Sequence, residues 1–275
     1  MHKWQWIGDK TRETEAMPKA LAPRRRLLFV SDWPDWSEGV KLEVDHKHFR
    51  IHRLADTDEC RYAANVLIHK MYSWRGYANF DLPVGIRHRI SWVATDHHHS
   101  AGTLTLVIDS ASNGLLADEI YQEEIDRLRT VQRHVCEMTQ LAIDQPDYSR
   151  FILAALFHMG YIHARYLFGC TDLVIEVNPR HVRYYEHMFG FKVISWEKTC
   201  LRVNAPAVLL KLSLAYVERQ IEAKGGTLDK GDKTIYPYCF SKQEELRICR
   251  RLRGLESRLG VIRCETGVEY DAVKL

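Results

Sequence analysis

Hydrophobic and polar positions follow a regular spacing from about residue 46 onward. Alternation typical of strands occurs at 48–54, 88–95, 102–109 and 133–143, and short apolar or β-branched runs follow at 171–177, 191–197 and 206–214. Helical spacing occurs at 56–74, 116–130, 149–169, 179–190, 215–226 and 236–259. The strand–helix–strand unit at 133–177 requires a crossover connection and therefore favours a parallel pair. The pattern predicts an α/β fold with a central mixed sheet and helices on both faces.

The same pattern divides the chain into three parts. Residues 1–45 are polar, interrupted by proline and rich in tryptophan, and we expect an N-terminal extension with one docked piece at 27–30. Residues 46–225 hold the regular elements and are predicted to form one domain. Residues 226–275 are predicted to be a C-terminal helical extension that carries the basic run "RRLR" at 250–253.

Composition and charge exclude several classes of protein. The chain has 275 residues, of which 46% are hydrophobic and 27% charged, and its net charge of +3 lacks the strong cationic bias of a nucleic-acid coat. No apolar run approaches 18 residues, which argues against a membrane span, and the first twenty residues lack the apolar region of a secretory signal. The seven cysteines are scattered without a CxxC pair, so we expect no disulfide framework and a cytoplasmic location.

Histidine-rich positions do not predict a metal site. Side chains of adjacent strand residues alternate between faces, so the three histidines of "DHHHS" (96–100) cannot all reach one zinc ion without distortion. His158 and His163 are five residues apart on a predicted helix, and His181 and His187 are six apart. Both pairs are poorly aligned on a helix surface. We therefore expect no bound metal.

The stretch "EVNPRHVRYYEHMFGF" (176–191) combines basic and aromatic residues, which first suggests a nucleic-acid patch. Its helix, however, begins after Pro179 and ends at Gly190, the placement typical of those residues. Within it the apolar side chains form a helical stripe, which indicates a buried face: Val182, Tyr185, Met188 and Phe189. We expect no nucleic-acid partner.

These motifs resemble those of a known enzyme family. The strand "TDLVIEV", the following Asn178, a helix with Tyr184 and Tyr185 and the ending "FGF" resemble the GNAT N-acyltransferase fold. "CEMTQLAID" (136–144) is similar to the Glu-x-Ser/Thr-Arg signature of acyl-homoserine-lactone synthases, with Gln140 in place of the arginine, and Arg61 resembles their early arginine. Together, "GLLADEIY", "CEMTQLAI", "LFHMGYIHA", "IEVNPRHVRYYEHMFGF" and "VNAPAVLLKL" resemble the related long-chain N-acyl amino acid synthases over roughly residues 48–215.

The resemblance implies a fold and a reaction. In the GNAT fold the fourth strand splays from the fifth and bears a bulge, which would leave backbone N–H groups near Gln140 and Leu141 free to stabilise an oxyanion. The implied reaction moves a long-chain acyl group from a thioester to the amino group of an amino acid or related amine by direct attack. Two alternatives stay open: an autoinducer synthase that uses S-adenosylmethionine, and a non-catalytic module that binds acyl carrier protein.

Acid–base chemistry points to Glu137 and the tyrosine pair. An α-amino group is largely protonated at neutral pH, so a carboxylate must accept its proton. Glu137 lies in the middle of an apolar strand, where burial would raise its pKa; the alternative is a structural ion pair with Arg133 or Arg61. Tyr185 is the first candidate and Tyr184 the second for giving a proton to the leaving thiolate, although either could simply pack the helix. Cys136 would point to the opposite face, which disfavours a cysteine nucleophile.

The donor is predicted to be acyl carrier protein, with no tightly bound cofactor. Acyl-CoA-binding GNAT enzymes place a glycine-rich loop after the fourth strand to hold the pyrophosphate. Here "DQPDYSR" (144–150) has no glycine and two aspartates. The phosphopantetheine arm would instead pair with the strand edge from Thr139 to Ile143 and contact Asn178.

Further residues are candidates for binding the carrier protein and the acyl chain. A basic face would suit an acidic carrier, formed by Arg150, Arg180, Arg183 and residues 250–253. Arg61 is a candidate substrate residue. The acyl chain would need an apolar tunnel, with Leu116, Tyr121, Phe151, Leu156 and Phe157 as possible lining; equally, these side chains could belong to the ordinary core.

Overall fold

The computed structural model describes residues 24–28, 39–54, 60–73, 88–96, 99–202 and 204–259. Within them, ten strands form one sheet in the order β1-β2-β3-β4-β5-β6-β7-β10-β8, with β9 paired to β10. The strands are β1 (Arg25–Leu28), β2 (Gly39–Val44), β3 (Lys47–Arg53), β4 (Arg89–Asp96), β5 (His99–Ile108), β6 (Val135–Ile143), β7 (Asp172–Val177), β8 (Lys192–Val193), β9 (Lys198–Cys200) and β10 (Ala205–Ser213).

The helices match the predicted periodic segments closely. They are α1 (Cys60–Ser73), α2 (Asp118–Thr130), α3 (Ser149–Ile162), α4 (Val182–Phe189), α5 (Leu214–Lys224) and α6 (Lys242–Leu259). A π-helix at His163–Leu167 extends α3, and short 3-10 turns lie at Pro179–His181 and Tyr236–Tyr238. Gly190 ends α4 in the left-handed conformation, with φ of 87°.

The sheet is mixed and carries helices on both faces, as predicted. Every neighbouring pair is antiparallel except β6 and β7, which are parallel and are joined by the α3 crossover. Met138 of β6 packs with α3 in the main core on one face. On the other face Val135 packs with α2, and Val93 packs with α1.

The sheet begins before residue 46. The predicted docked piece at 27–30 corresponds to β1, although residues 29 and 30 lie outside the described residues, and β2 was not predicted. Val40, Leu42 and Val44 are at most 2% exposed and share the main core with Ile248 and Leu252 of α6. The core therefore extends across both predicted boundaries, 45 and 226.

The far edge of the sheet differs from the prediction in length. The predicted strand at 191–197 is reduced to the two residues of β8, and the short β9 was not predicted. Lys192 and Val193 are exposed, and Trp196 is 90% exposed. Few side chains of this segment are buried, so packing holds only a short piece of it against β10.

Candidate active site

The two parallel strands at the centre of the sheet diverge. β6 and β7 pair only over Val135–Glu137 and Asp172–Val174, although β6 continues to Ile143 and β7 to Val177. Both strands are fully described, and beyond Glu137 they share no ladder positions. The predicted splay is therefore confirmed, and it forms a V-shaped cleft between the carboxyl-terminal halves of the strands.

A bulge shapes the β6 wall of this cleft. The β5–β6 register shifts between Thr103 and Thr105, and Gln140 has φ of 52°, a left-handed conformation that is uncommon outside glycine. The Thr103 hydroxyl donates to the Gln140 carbonyl oxygen at 2.9 Å, and the Thr105 hydroxyl donates to Oε1 of Gln140 at 2.8 Å. The Tyr72 hydroxyl of α1 donates to the Leu141 carbonyl oxygen at 3.0 Å. These bonds hold the bulge at the position expected from the sequence.

Glu137 lies at the apex of the cleft, where the two strands part. Its side chain is on the α2 face, is only 2% exposed, and accepts a hydrogen bond at Oε2 from the Ala117 N–H at 3.1 Å. Burial raises the pKa of Glu137 to about 8, and the negative charge of Glu176 adds to this effect. The Ala117 N–H and the charge of Arg202 act in the opposite direction. The site thus holds a carboxyl group that titrates near neutral pH.

Glu137 does not form the ion pair considered as the alternative with Arg133. The Arg133 guanidinium lies 3.7 Å from Asp172, and Arg61 lies in the first turn of α1. The arginine whose charge lowers the pKa of Glu137 is Arg202. It donates from Nη2 to both carboxylate oxygens of Glu176 at 2.7 and 2.9 Å.

Comparison with known proteins identifies the family. A family model described as "N-acyl amino acid synthase FeeM" matches residues 63–213, which is more than half of the chain and includes the whole cleft. The chain belongs to this family.

A solved structure of a member of this family gives the same result for the fold. The chain is similar to FeeM, an N-acyl amino acid synthase from uncultured soil microbes, with 26% identity and a TM-score of 0.56 over 62% of this chain and 93% of that chain. A Legionella pneumophila aminoglycoside N(6')acetyltransferase matches with 14% identity and a TM-score of 0.44, covering 62% of this chain and 95% of that one. No curated protein matches the chain. The protein is an N-acyltransferase with the GNAT fold.

The tyrosine pair of this FeeM-family protein lies on α4, next to the first turn of α3. Burial raises the pKa of Tyr184 to about 12, while the nearby charge of Arg150 lowers it. Tyr185 stacks on Phe189 with ring centroids 5.8 Å apart and meets Phe191 edge-on at 5.9 Å. Both tyrosines are half-buried. The structure brings Tyr184 and Arg150 together, and the rings of the two tyrosines meet edge-on with centroids 5.4 Å apart.

Asn178 and the basic candidates stand around the end of β7. The Asn178 side chain accepts from the Arg180 N–H at 3.3 Å and donates to the Pro206 carbonyl oxygen at 3.3 Å, so it links β7 to β10. Arg180 and Arg183 are exposed, whereas Arg150 packs over the Tyr238 ring with its guanidinium carbon 5.1 Å from the centroid. Their predicted contacts with the donor stay predictions.

The loop between β6 and α3 is built without a phosphate cradle. Asp144 pairs with Lys70, and Gln145 accepts from Lys47 at 3.4 Å. Tyr148 immediately precedes α3 and packs against Phe49 with centroids 5.5 Å apart. The helix N-terminus, where a pyrophosphate would bind, is therefore lined by an ion-paired carboxylate and an aromatic ring rather than by glycines.

The candidate acyl-chain residues do not lie together. Leu116 and Tyr121 belong to the core between α2 and the sheet, where the Tyr121 hydroxyl donates to the Ala207 carbonyl oxygen at 2.6 Å. Phe157 belongs to the main core on the opposite face and packs against Phe189 at 4.9 Å. Because the sheet separates them, these three side chains cannot line one tunnel, and the alternative of ordinary core packing describes them in this structure.

The described residues include neither a metal-ligand cluster nor a membrane-spanning helix. Among them, no group of three or more His, Cys, Asp or Glu side chains is placed to hold a metal ion, and His97 and His98 of "DHHHS" lie outside the described residues. In the same part of the chain, no helix has the length and apolar character needed to cross a bilayer.

Several residues around Glu137 were not identified from the sequence pattern. Glu176 was visible as an acid in the apolar run "LVIEV", two positions after the buried Val174, so alternation could have placed it on the same face as Glu137. Arg202 and Glu119 lie in irregular or helical segments with no distinguishing pattern. Only the tertiary fold brings them to the site.

Proposed function

We propose that this N-acyltransferase moves a long-chain acyl group from the phosphopantetheine thioester of acyl carrier protein to the amino group of an amino acid or related amine. The observation that supports this most strongly is the splayed β6–β7 cleft with Glu137 buried at its apex. An open strand edge suits an extended pantetheine arm, whose amides can pair with Thr139 to Ile143 as an added strand would.

Glu137 is the proposed base. An α-amino group has a pKa near 8 or above, and burial brings the pKa of Glu137 to about 8, much closer to that of the amine than an exposed carboxyl group would be. Proton transfer from the ammonium to the carboxylate is then nearly balanced in free energy, so a neutral amine is formed without a large penalty. The amine nitrogen attacks the thioester carbonyl carbon directly, the C–N bond forms, and collapse of the tetrahedral intermediate breaks the C–S bond.

The bulge and the tyrosines complete the mechanism. We assign stabilisation of the tetrahedral oxyanion to backbone N–H groups near Gln140 and Leu141, because the splay leaves that strand edge without a ladder partner in β7. The departing thiolate takes a proton from Tyr184 or Tyr185, and the second proton that the attacking nitrogen loses as it becomes an amide returns that tyrosine to its neutral form. The high pKa of Tyr184, about 12, keeps its hydroxyl protonated at neutral pH and available as a donor.

The preference for acyl carrier protein over coenzyme A comes from the β6–α3 loop. Coenzyme A would place its pyrophosphate at a loop that has no glycine, where Asp144 already pairs with Lys70 and the exposed Asp147 adds a like charge. A carrier protein presents only the pantetheine arm and its single phosphate, and its acidic surface would meet Arg180 and Arg183, which are exposed beside the cleft. Arg61 and Asn178 remain proposed contacts of the acceptor and of the arm.

The proposed location is the cytoplasm, where acyl carrier protein and free amino acids meet. The five cysteines whose side chains are described are buried and form no disulfide: Cys136, Cys170, Cys200, Cys239 and Cys249. Buried thiols without disulfides suit a reducing compartment.

A product assay tests the proposal. The purified protein is incubated with acyl carrier protein loaded with a range of chain lengths, together with all amino acids, and the products are identified by mass spectrometry. We expect an N-acyl amino acid with a long acyl chain. In a parallel reaction the same acyl groups are supplied on coenzyme A, and we expect a much lower rate at equal donor concentration.

The controls separate the competing functions. A lactone formed only when S-adenosylmethionine is added would support an autoinducer synthase instead. Equal rates with both donors would contradict the preference for a carrier protein and leave the acyltransferase assignment intact. Binding of acyl carrier protein without any product would contradict the proposed reaction.

A further inference from the structure

Arg202 joins three parts of the structure next to Glu137. Besides its two bonds to Glu176, it donates from Nη1 to Oε2 of Glu119 at 2.5 Å and to the Leu116 carbonyl oxygen at 2.7 Å. One side chain thus connects β7, the start of α2 and the segment after β9. Its own side chain is 27% exposed, while that of Glu176 is 10% exposed.

The contact with Leu116 leads directly to Glu137. The Leu116 carbonyl and the Ala117 N–H belong to the same peptide group. Arg202 donates to the oxygen of that peptide, and the N–H of the same peptide donates to the Glu137 carboxyl at 3.1 Å. A charged donor at one end of a hydrogen-bonded chain polarises the next bond and strengthens it.

Arg202 also influences Glu137 through Glu176. Glu176 and Glu137 lie on the same face of adjacent strands, so their negative charges repel across a buried space. Both carboxylate oxygens of Glu176 are bonded to the same Arg202 nitrogen, which fixes the orientation of Glu176 and offsets part of its charge. Arg202 therefore opposes the effect of Glu176 on Glu137 both by position and by charge.

We propose that Arg202 is a positioning residue for the acyl transfer, which holds Glu176 and the 116–117 peptide against Glu137 and thereby sets the pH at which Glu137 accepts the amine proton. This proposal rests on the proposed role of Glu137 as the base. It assigns Arg202 no contact with either substrate.

Other titratable groups in this region come from each element packed around Glu137. Glu176 and Asp172 are on β7, Glu119 and Tyr121 on α2, Cys136 on β6, and Cys200 on β9. Lys211 of β10 pairs with Asp172 at 3.2 Å, and Asp172 is only 1% exposed. The charges linked directly to Arg202 are those of Glu176 and Glu119, so the variants below address Arg202 and Glu176.

The test compares charge-removing variants with opposite expected effects. Arg202→Gln removes the positive charge and should move the rising limb of the kcat/KM pH profile to higher pH, by roughly one unit. Glu176→Gln removes the repelling charge and should move the same limb to lower pH by a similar amount. The double variant should lie between the two. Arg202→Lys keeps the charge but loses the forked geometry, so its limb should stay close to that of the wild type while kcat falls.

A control and a direct titration keep the test independent of the assay. Arg127→Gln removes an arginine on the exposed face of α2, 3.8 Å from Glu123, and should leave the profile unchanged. In protein with glutamate carboxyl carbons labelled with ¹³C, the signal missing in Glu137→Gln identifies Glu137. Its midpoint can then be followed by NMR in each variant, and circular dichroism checks that each variant is folded.

The outcomes distinguish this proposal from the proposed function. Opposite shifts of the Glu137 midpoint and of the rate profile would support it. Midpoints that do not move, or that move in the same direction in Arg202→Gln and Glu176→Gln, would overturn it. Shifted midpoints with an unshifted rate profile would also overturn it, because Glu137 would then not be the base. Absence of an N-acyl amino acid product in the wild type would contradict the proposed function, and the NMR titration would still decide the effect of Arg202 on Glu137.

Discussion

Two glutamates are buried to the same extent in this protein and behave in opposite ways. Glu137 of β6 is 2% exposed and Glu245 of α6 is 1% exposed. Burial alone raises the pKa of both carboxyl groups. The pKa of Glu137 nevertheless stays near 8, whereas that of Glu245 is lowered to about 2. The difference comes from the groups that each carboxylate touches.

Glu245 is surrounded by donors. It accepts hydrogen bonds from His158 at 2.9 Å, from Lys242 at 2.6 Å and from the Tyr166 hydroxyl at 3.0 Å. The Phe240 N–H donates to Nδ1 of His158 at 3.0 Å, so Nε2 carries the proton and donates it to Glu245. These bonds join α6 to α3 and outweigh the cost of burying the charge. Glu245 is therefore a structural acid that is ionised at all ordinary pH values.

Glu137 lacks such a set of partners. In the described part of the chain no Lys or Arg nitrogen lies within 4 Å of its carboxylate, and its bonded partner is a backbone N–H. The charge with the largest effect on its pKa is that of Glu176, which repels the carboxylate and raises the pKa. A buried acid without a bonded cation is poorly stabilised in its charged form, which is the property that a base working near neutral pH needs. The comparison teaches that partners, and not burial, separate a structural acid from a reactive one.

The largest expected effect tests the role of Glu137 as the base. Glu137→Gln preserves shape and burial but removes the proton acceptor. We expect turnover in the acyl-transfer assay at pH 7 to fall roughly 100- to 10,000-fold. Glu123→Gln, on the exposed face of α2, is the matched control and should retain its rate. An unchanged rate in Glu137→Gln would remove Glu137 from the mechanism.

The structural role of Glu245 predicts that its replacement lowers stability instead of turnover. Glu245→Gln leaves Lys242 without its carboxylate partner and weakens the bond to His158. We expect the free energy of unfolding to fall by about 3 kcal/mol, at the lower end for a buried pair because the Lys242 side chain is 36% exposed and can turn to water. Urea unfolding measures this change, with Glu222→Gln on α5 as the exposed control.

The turnover of Glu245→Gln tests whether Glu245 has any part in the reaction. At temperatures where Glu245→Gln is folded, its rate per folded molecule should match that of the wild type, because Glu245 lies on the α3 side of the sheet, away from Glu137. A rate loss as large as that of Glu137→Gln, without a loss of stability, would break the distinction between the two acids.

An effect of similar size concerns how stability depends on pH, and its sign differs between the two acids. The folded-state pKa of Glu137 is raised from 4.5 to about 8, so its burial costs little below pH 4.5 and destabilises the fold increasingly as pH rises to 8. Glu137→Gln should thus gain stability relative to the wild type between pH 5 and pH 8, by roughly 3 to 4 kcal/mol. Urea midpoints at both pH values measure the difference.

Glu245 should show the reverse. Its folded-state pKa is lowered from 4.5 to about 2, so its contribution is complete above pH 4.5 and is lost as pH falls toward 2. The stability difference between the wild type and Glu245→Gln should therefore shrink on acidification below pH 4.5. Parallel pH dependences for the two variants would contradict the assignment of opposite roles.

The two acids also show what sequence reasoning can and cannot predict. Glu137 was predicted as a buried acid because it interrupts a strand of apolar residues, and alternation alone places it in the sheet. Glu245 lies in the charged run "KQEELR", which is typical of a solvated helix surface. Its burial depends on His158, 87 positions earlier in the chain, and no local pattern reports that contact.

The same limit applies to the fold. The central strands and the splay followed from local periodicity and from the family motifs. The strand β2 was missed because its buried residues, such as Leu42, belong to a core that also includes residues of α6, about 200 positions away in the chain. Arg202 was missed for the same reason, since its partners lie in β7 and at the start of α2, between 26 and 86 positions away in the chain.

The smallest predicted effect isolates one donor of Glu245. Tyr166→Phe removes the hydroxyl that donates to Glu245 at 3.0 Å and accepts from Lys242 at 3.1 Å, but leaves the bonds of His158 and Lys242 to Glu245 in place. Because two donors remain, we expect the free energy of unfolding to fall by about 1 kcal/mol, with the rate per folded molecule unchanged. Tyr216→Phe is the control, since within the described residues the structure shows ring contacts but no hydrogen bond for that half-buried tyrosine. A loss of unfolding free energy as large as that in Glu245→Gln would mean that the Tyr166 hydroxyl accounts for the whole effect. That result would contradict a stabilisation of Glu245 shared among three donors.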